Sequence, residues 1–169
     1  MDVSLVIPAF NEGAAIGPCL DAAIHSARGR FKEIIVVDNA SSDDTAAEAL
    51  KRKGVRVVHE PRKGTGHARQ TGLEEASTEF VAFIDADTHM PTDWLDKAEK
   101  IFHQHPECVL LSGPYRYDDT TWLRKIFLDG AWIVVSPIVY RMVGYMALGG
   151  NLFLKRKALE SVGGFNRNI

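Results

Sequence analysis

Short, almost wholly apolar runs alternate along the chain with longer stretches in which apolar positions recur every three or four residues. Segments 3–10 (VSLVIPAF), 33–39, 55–60, 79–86 and 108–113 read as strands, rich in β-branched residues. Their near-continuous apolarity predicts burial on both faces, as in a parallel sheet. Segments 12–28, 42–53, 66–77 and 91–105 carry the helical period. A further strand, 151–155, feeds a helix from Arg156 that stops at Gly163 and Gly164. Ser41, Ser42, Asp43 and Asp44 supply capping side chains for the second helix, and Gly54 suits its end. Pro91, Thr92 and Asp93 mark the start of the fourth. Strand, helix, strand, repeated in this way, implies right-handed crossovers and a Rossmann-like α/β sandwich.

With 169 residues the chain suits a single domain, 1–169. A formal net charge of −2 gives no field that would recruit nucleic acid, so no nucleic-acid partner is expected. The six histidines lack metal-ligand spacing. Cys19 and Cys108 form no CxxC pair, which points to reduced thiols and a cytoplasmic setting. The first residues run straight into the apolar strand, without the basic leader and cleavage site of a signal peptide. Segment 131–140 is interrupted by Pro137 and closed by Arg141, too short for a span of about 20 apolar residues. A core helix is the plainer reading there; the other is a surface that lies on a membrane or grips a lipid.

Ligands of open α/β sheets bind beyond the carboxyl ends of the strands. Three such ends turn abruptly polar: Pro8-Ala9-Phe10-Asn11-Glu12, Asp38-Asn39-Ala40-Ser41-Ser42 and Asp85-Ala86-Asp87. On an extended backbone residues i and i+2 face the same way, so Asp85 and Asp87 would converge. Two close carboxylates repel unless a cation joins them, and hard oxygen donors suit Mg²⁺ or Mn²⁺ shared with a substrate diphosphate. A helix-capping Asp and a solvated turn would explain the same triplet. Gly64 and Gly66 before the third helix would let backbone amides approach a phosphate, with Arg69 one turn on. The stretch fits neither GxGxxG nor a P-loop, and a flexible loop with a surface Arg is the simpler account. Asp38 offers an acceptor to a nucleobase N–H or to ribose hydroxyls, and also suits a plain capped turn.

VSLVIPAFNE, IIVVDNASSDDT, KGTGHARQTGLEEA, FVAFIDAD and GGNLFLKRKALESVGGF resemble, in order and over nearly the whole chain, the signatures of family 2 glycosyltransferases with the GT-A fold. The resemblance implies a three-layer α/β/α sandwich with a mostly parallel central sheet. It divides the domain into a nucleotide-sugar half, 1–115, and a partial acceptor-side half, 116–169. It implies a UDP- or GDP-sugar donor and inversion at the anomeric carbon. Pro8, Ala9, Phe10 and Glu12 would line the nucleoside pocket with Asp38 and Asn39, and Arg69 would lie beside the donor. Asp85 would sit near ribose and metal, and Asp87 would be the clearer ligand of Mg²⁺ or Mn²⁺. Gly149, Gly150 and Asn151 would shape the donor-sugar and acceptor pocket.

Two departures stand out. The family often has Asp-Asp-Gly-Ser at the second strand, where this chain has Asn39 and Ala40. The family's acidic pair shortly after Gly-Gly-Phe, source of the catalytic base, does not appear before Ile169. The base is therefore expected beyond Ile169; Asp118, Asp119 and Asp129 have the carboxylate but no position that marks them. The acceptor would be a saccharide or a lipid-linked group. Segment 122–145, with Trp132, Tyr140 and Tyr145, would contact a lipid at the inner membrane face or pack on further chain. Two rivals remain: a sugar-phosphate nucleotidyltransferase and a non-catalytic nucleotide-binding domain. The first wants a basic Gly-rich loop after the first strand, where PAFNEGAAIG has no Arg or Lys.

Overall fold

The computed structural model describes residues 1–113, 134–135, 137–139, 141–142 and 149–167. Among these, strands β1 (Val3–Ala9), β2 (Phe31–Asp38), β3 (Val55–His59), β4 (Phe80–Ile84), β5 (Leu110–Ser112) and β6 (Asn151–Lys155) form one sheet. Its order is β3-β2-β1-β4-β6-β5. The pairs β1–β2, β2–β3 and β1–β4 are parallel, while β6 runs antiparallel to both β4 and β5. Helices α1 (Ile16–Ala27), α2 (Thr45–Leu50), α3 (Thr65–Glu75), α4 (Trp94–Gln104) and α5 (Arg156–Ser161) complete the described elements.

The side-chain period of two divides each central strand between two cores. Leu5 and Ile7 of β1, Val36 of β2 and Ala82 of β4 pack with Leu20 of α1 and Phe102 of α4. Val6, Ile35, Val37 and Phe83 face the other way, onto Ala68 and Leu73 of α3. Both faces are covered, so β1 and β4 need apolar residues at nearly every position. Gly72 lets α3 lie flush on the sheet, since a Cβ there would come within 2.2 Å of Val6 Cγ1.

Burial on both faces does not extend to β3 and β5. They are the two edges of the sheet, and their residues are half-buried or exposed. Segment 108–113 contributes only Leu110–Ser112 to the sheet, because β6 pairs with those three residues alone. The helices are also shorter than their patterns suggest. Residues 12–15 form a turn in which the Glu12 carbonyl accepts from the amides of Ala15 and Ile16 before α1 begins. At α2 the N-cap Asp44 makes no side-chain cap bond; the Asp43 carboxylate accepts from the Thr45 amide at 3.0 Å instead. Gly163 and Gly164 stop α5 as expected, with φ of 90° and 78°. Their amides bond back to Glu160 and Leu159 at 3.0 Å each, the Schellman arrangement.

Candidate functional site

Because β1, β2 and β4 are parallel, their carboxyl ends share one rim. The chain leaves β1 and β2 through two non-glycine residues with left-handed backbone, Asn11 (φ 55°) and Ala40 (φ 56°). Such conformations cost about 1–3 kcal/mol each and persist only where neighbours hold them. Here the two loops hold each other. The Asn11 amide donates to Ser41 Oγ at 3.0 Å, and the Ser42 amide to Asn11 Oδ1 at 2.8 Å. One step on, the Glu12 amide donates to Thr45 Oγ1 and the Gly13 amide to Asp43 Oδ2, at 2.8 and 2.9 Å. Asp43, one of the acids expected as caps of α2, therefore ties the first loop to the second.

The acid pair follows β4, but not on an extended backbone. The strand ends at Ile84, and the Thr88 amide donates to the Asp85 carbonyl at 3.0 Å, closing a turn over Asp85–Thr88. The premise of i, i+2 alignment along a strand is thus replaced by a turn with Ala86 tucked inward and Asp87 exposed. The carboxylates nevertheless meet a third acid. Glu12 is raised above the usual carboxylate range by burial, then by the negative charges of Asp87, Asp43 and Asp85. Burial also pushes the Cys19 thiol up to about 12, reinforced by Asp87, so this thiol stays protonated and unreactive.

Arg69, one turn into α3, donates from Nη2 to Asp85 Oδ1 at 3.1 Å. Its Nε is buried and has no hydrogen-bond partner in the described structure. The same guanidinium lies against Gly149, where a Cβ would come within 2.9 Å of Nη1. The Gly150 carbonyl accepts from the Asp85 amide at 3.2 Å. Asn151 pairs with Ile84 in the sheet, and its Oδ1 accepts from Trp94 Nε1 at 3.1 Å. The late Gly-Gly-Asn segment is thereby latched to the acid turn by backbone and packing.

Asp38, at the end of β2, is buried; its Oδ1 accepts from the Ser41 amide at 3.2 Å and its Oδ2 lies 3.2 Å from His59 Nδ1. Asn39 is only 4 % exposed and spends its amide on the loop between β3 and α3. In that loop Glu60 is held well below the usual carboxylate range by the Arg62 guanidinium, against the opposing effect of burial and with help from the Thr71 hydroxyl. Lys63 places its ammonium over the Phe10 ring at 4.9 Å, and that ring is 45 % exposed.

These pieces enclose an open cavity of about 320 Å³. Of the residues singled out in the sequence, Pro8, Ala9, Phe10, Glu12, Asn39, Asp85 and Asp87 line it. Arg69 joins through its ion pair with Asp85, Gly149 through its approach to Arg69 and Gly150 through its bond to Asp85, while Asn151 follows them in β6 and is held by Ile84 and Trp94. Asp38 sits one residue behind the wall. Thr65, Ala68 and Ala86 complete the lining without having been foreseen. Thr45, Glu60 and Thr71 were also missed, because a hydroxyl or acid that braces a loop carries no local pattern. Asp118, Asp119, Asp129, Trp132, Tyr140 and Tyr145 lie outside the described residues.

The acids lining the cavity, Glu12, Asp85 and Asp87, offer hard carboxylate oxygens, and Glu12 feels the negative charge of the other two. Among the described residues no group of three or more His, Cys, Asp or Glu forms a ready-made metal cage. That combination fits a divalent ion of the Mg²⁺ or Mn²⁺ type, which takes one or two carboxylates and completes its shell with water and phosphate oxygens.

The polar cavity lies across the carboxyl ends of the parallel strands, the place where open α/β sheets bind their ligands. The family model described as "Glycosyl transferase family 2" matches residues 4–162, and the chain belongs to that family. Glycosyltransferase AglE of Haloferax volcanii is 33 % identical over 101 residues, 56 % of this chain and 33 % of that protein. The mannosyltransferase PcManGT of Pyrobaculum calidifontis, solved with GDP-Man and Mn²⁺, superposes with a TM-score of 0.76 at 27 % identity. That likeness covers 99 % of this chain and 48 % of the other. Glucosyl-3-phosphoglycerate synthase of Mycobacterium tuberculosis, solved with Mn²⁺, UDP-Glc and phosphoglyceric acid, gives 0.71 at 26 % identity, over 95 % of this chain and 58 % of that one. The fold is the GT-A α/β sandwich. The chain spans about a third of the length of the curated relatives it matches.

Proposed function

We propose that this protein transfers a sugar, with inversion, from a UDP- or GDP-sugar to a saccharide or lipid-linked acceptor, assisted by Mg²⁺ or Mn²⁺. The observation that carries this reading is the cavity where Asp85, Asp87 and Glu12 face the ends of β1 and β2. The complexes of related enzymes with Mn²⁺ and nucleotide sugars support it.

In this reading Asp87, with Asp85, holds the divalent ion against the donor diphosphate. When bound, that ion supplies Lewis-acid stabilisation of the negative charge on the departing diphosphate. Arg69 stays anchored on Asp85 and sets its positive charge beside the same anion. Phe10, Pro8 and Ala9 form the apolar wall for the nucleoside, with Asp38 behind it as a hydrogen-bond acceptor. Gly149, Gly150 and Asn151 bring the donor-sugar side next to the acid turn. The acceptor oxygen attacks the anomeric carbon as the bond to the diphosphate breaks, and its proton passes to a base. No described residue is assigned that base.

Residues 1–115 act as the nucleotide-sugar half and 116–169 as part of the acceptor side. The setting is cytoplasmic, at the inner face of the membrane if the acceptor is lipid-linked. Any membrane contact is taken as peripheral in this reading; among the described residues no helix is long and apolar enough to cross a membrane. Liposome flotation tests that contact, and a protein that stays with the soluble fraction removes it.

The direct test is titration of UDP and GDP with and without Mn²⁺, on the native protein and on Asp87→Ala. Tighter binding with Mn²⁺, lost in the variant, is the expected result. Indifference to both metal and substitution rules out the metal role. Incubation with a nucleotide sugar separates transfer from nucleotidyl chemistry: release of nucleoside diphosphate marks the first, and synthesis of nucleotide sugar from NTP the second.

A further inference from the structure

The family resemblance places Asn39 in the nucleoside pocket, yet its side chain is already committed. Nδ2 donates to the Glu60 carbonyl at 3.1 Å and to the Arg62 carbonyl at 2.7 Å, and Oδ1 accepts from the Gly64 amide at 2.8 Å. Both amide hydrogens are used, and all three bonds reach one loop at every second residue. The Asn39 backbone is fixed in turn by its amide's bond to the Ala9 carbonyl, at 2.8 Å, so the clasp is referenced to the central strand β1.

From inside the loop Glu60 completes the hold. Its carboxylate accepts from the Arg62 amide at 2.9 Å, from Arg62 Nε and Nη2 at 2.8 Å each, and from Thr71 Oγ1 of α3 at 2.6 Å. This loop carries Lys63 over Phe10 and delivers Gly64, with φ 135°, to the start of α3. Thr65 and Ala68 of α3 line the cavity and Arg69 holds Asp85. A shift of the loop is therefore a shift of one wall of the site.

The chemistry of the clasp demands an amide. A carboxylate at position 39 would face two carbonyl oxygens with no hydrogen to give. We propose that Asn39 is a positioning residue that sets donor affinity through the 60–64 loop and does not read the base. This rests on the nucleotide-sugar reading of the cavity, and one arm of its test stands without it.

That arm is amide hydrogen exchange on the nucleotide-free full chain. In Asn39→Ala the Gly64 amide loses its acceptor and exchanges at least about tenfold faster, as expected for a lost hydrogen bond, while β1 and β4 amides keep their protection. Unchanged exchange at Gly64 overturns the clasp whether or not any nucleotide binds. The second arm measures UDP and GDP affinity with Mn²⁺. Asn39→Asp is expected to weaken both nucleotides by a similar factor, roughly tenfold, leaving their ratio intact. A changed ratio means that position 39 reads the base, and unchanged affinity means that the loop does not matter; either overturns the proposal. Native protein that binds neither nucleotide overturns the functional reading and this inference's affinity claim, while leaving the exchange result to judge the clasp.

A pH series supplies a readout that a general loss of structure would not give. Burial raises a carboxyl's pKa, and a protonated Asp at position 39 regains one donor. The affinity gap between Asn39→Asp and the native protein is expected to narrow as pH falls toward 5. Asp38, His59, Glu60 and Arg62, which face this position from β2, β3 and the loop, are common to both proteins and cancel in the comparison. Asn39→Ala has no proton to gain, and its gap stays constant. A gap that is equally flat for both variants counts against the clasp.

Discussion

The two rims of the sheet are built from the same strands and obey opposite rules. At the amino end, a carboxylate is taken into the protein and satisfied. Glu33 Oε1 accepts from Ser4 Oγ at 2.6 Å and from the Ser77 amide and hydroxyl at 2.7 and 2.9 Å. Ser4 Oγ also lies 2.6 Å from Thr78 Oγ1, whose hydroxyl donates to the Phe80 carbonyl. At the carboxyl end, Glu12 bears the repulsion of Asp87, Asp43 and Asp85, Asn11 and Ala40 hold left-handed backbone, and Arg69 keeps a buried N–H unbonded. One rim has spent its polar groups on the fold. The other sets Glu12, Asp85 and Asp87 along a cavity, and its left-handed residues are held by the loop-to-loop bonds around Asn11 and Ser42.

Asp87→Ala should break that contrast most sharply. It is expected to lower sugar transfer by roughly a hundredfold or more, the order of a lost metal-held charge, in an assay of nucleoside diphosphate release. Thermal melting of the same variant should show no loss of stability, since a repulsive charge beside Glu12 has gone. A variant that unfolds would mean that the carboxyl rim is structural after all.

Next in size is a defect of packing between α3 and the sheet. Gly72→Ala drives a methyl into Val6, which is expected to cost about 1–3 kcal/mol in a urea melt. At the amino rim, Ser4→Ala removes the bonds to Glu33 and Thr78 and should cost about 1–2 kcal/mol. UDP affinity should stay at the native value in Ser4→Ala. Weaker binding there would show that the rims are coupled.

The smallest effect is a difference in sign with pH. For Glu33, burial pushes the pKa up, but the hydrogen bonds from Ser4 and Ser77 and the Arg56 charge outweigh it and the net shift is downward. A depressed carboxylate gives stability that is present above its unfolded pKa and lost as pH falls through the folded one. Glu12 is raised, so the folded state binds its proton more tightly, and its contribution improves as pH falls through the raised value. Stability measured across the acid range should therefore lose part of its acid sensitivity in Ser4→Ala and become more acid-sensitive in Glu12→Gln. Parallel changes in the two variants would refute the opposition between the rims.

Much of this arrangement was legible in the residue pattern, and its failures share a cause. Segments 3–10, 33–39 and 79–86 were readable because a strand buried on both faces is apolar at almost every position. The runs at 55–60 and 108–113 looked alike, yet they are edges, because the strand order depends on crossovers that no local window records. Asp85 and Asp87 were readable as a pair, but they sit on a turn that follows the strand and both line the cavity with Glu12. Asn39 was readable as a site residue, while its work is done at positions 60, 62 and 64.

The amino-acid sequence by itself determined the alternation of strands and helices, and with it a polar rim at the carboxyl ends of apolar strands. Period and polarity are local quantities, written into consecutive residues. Only the tertiary structure decided that β6 runs antiparallel beside β4, bringing Gly149 and Gly150 to Arg69 and Asp85. Only the tertiary structure, too, decided that Asn39 clasps a loop. Such contacts join residues tens of positions apart, and a hydrogen bond of a few ångströms exists only once the sheet has set both partners in place.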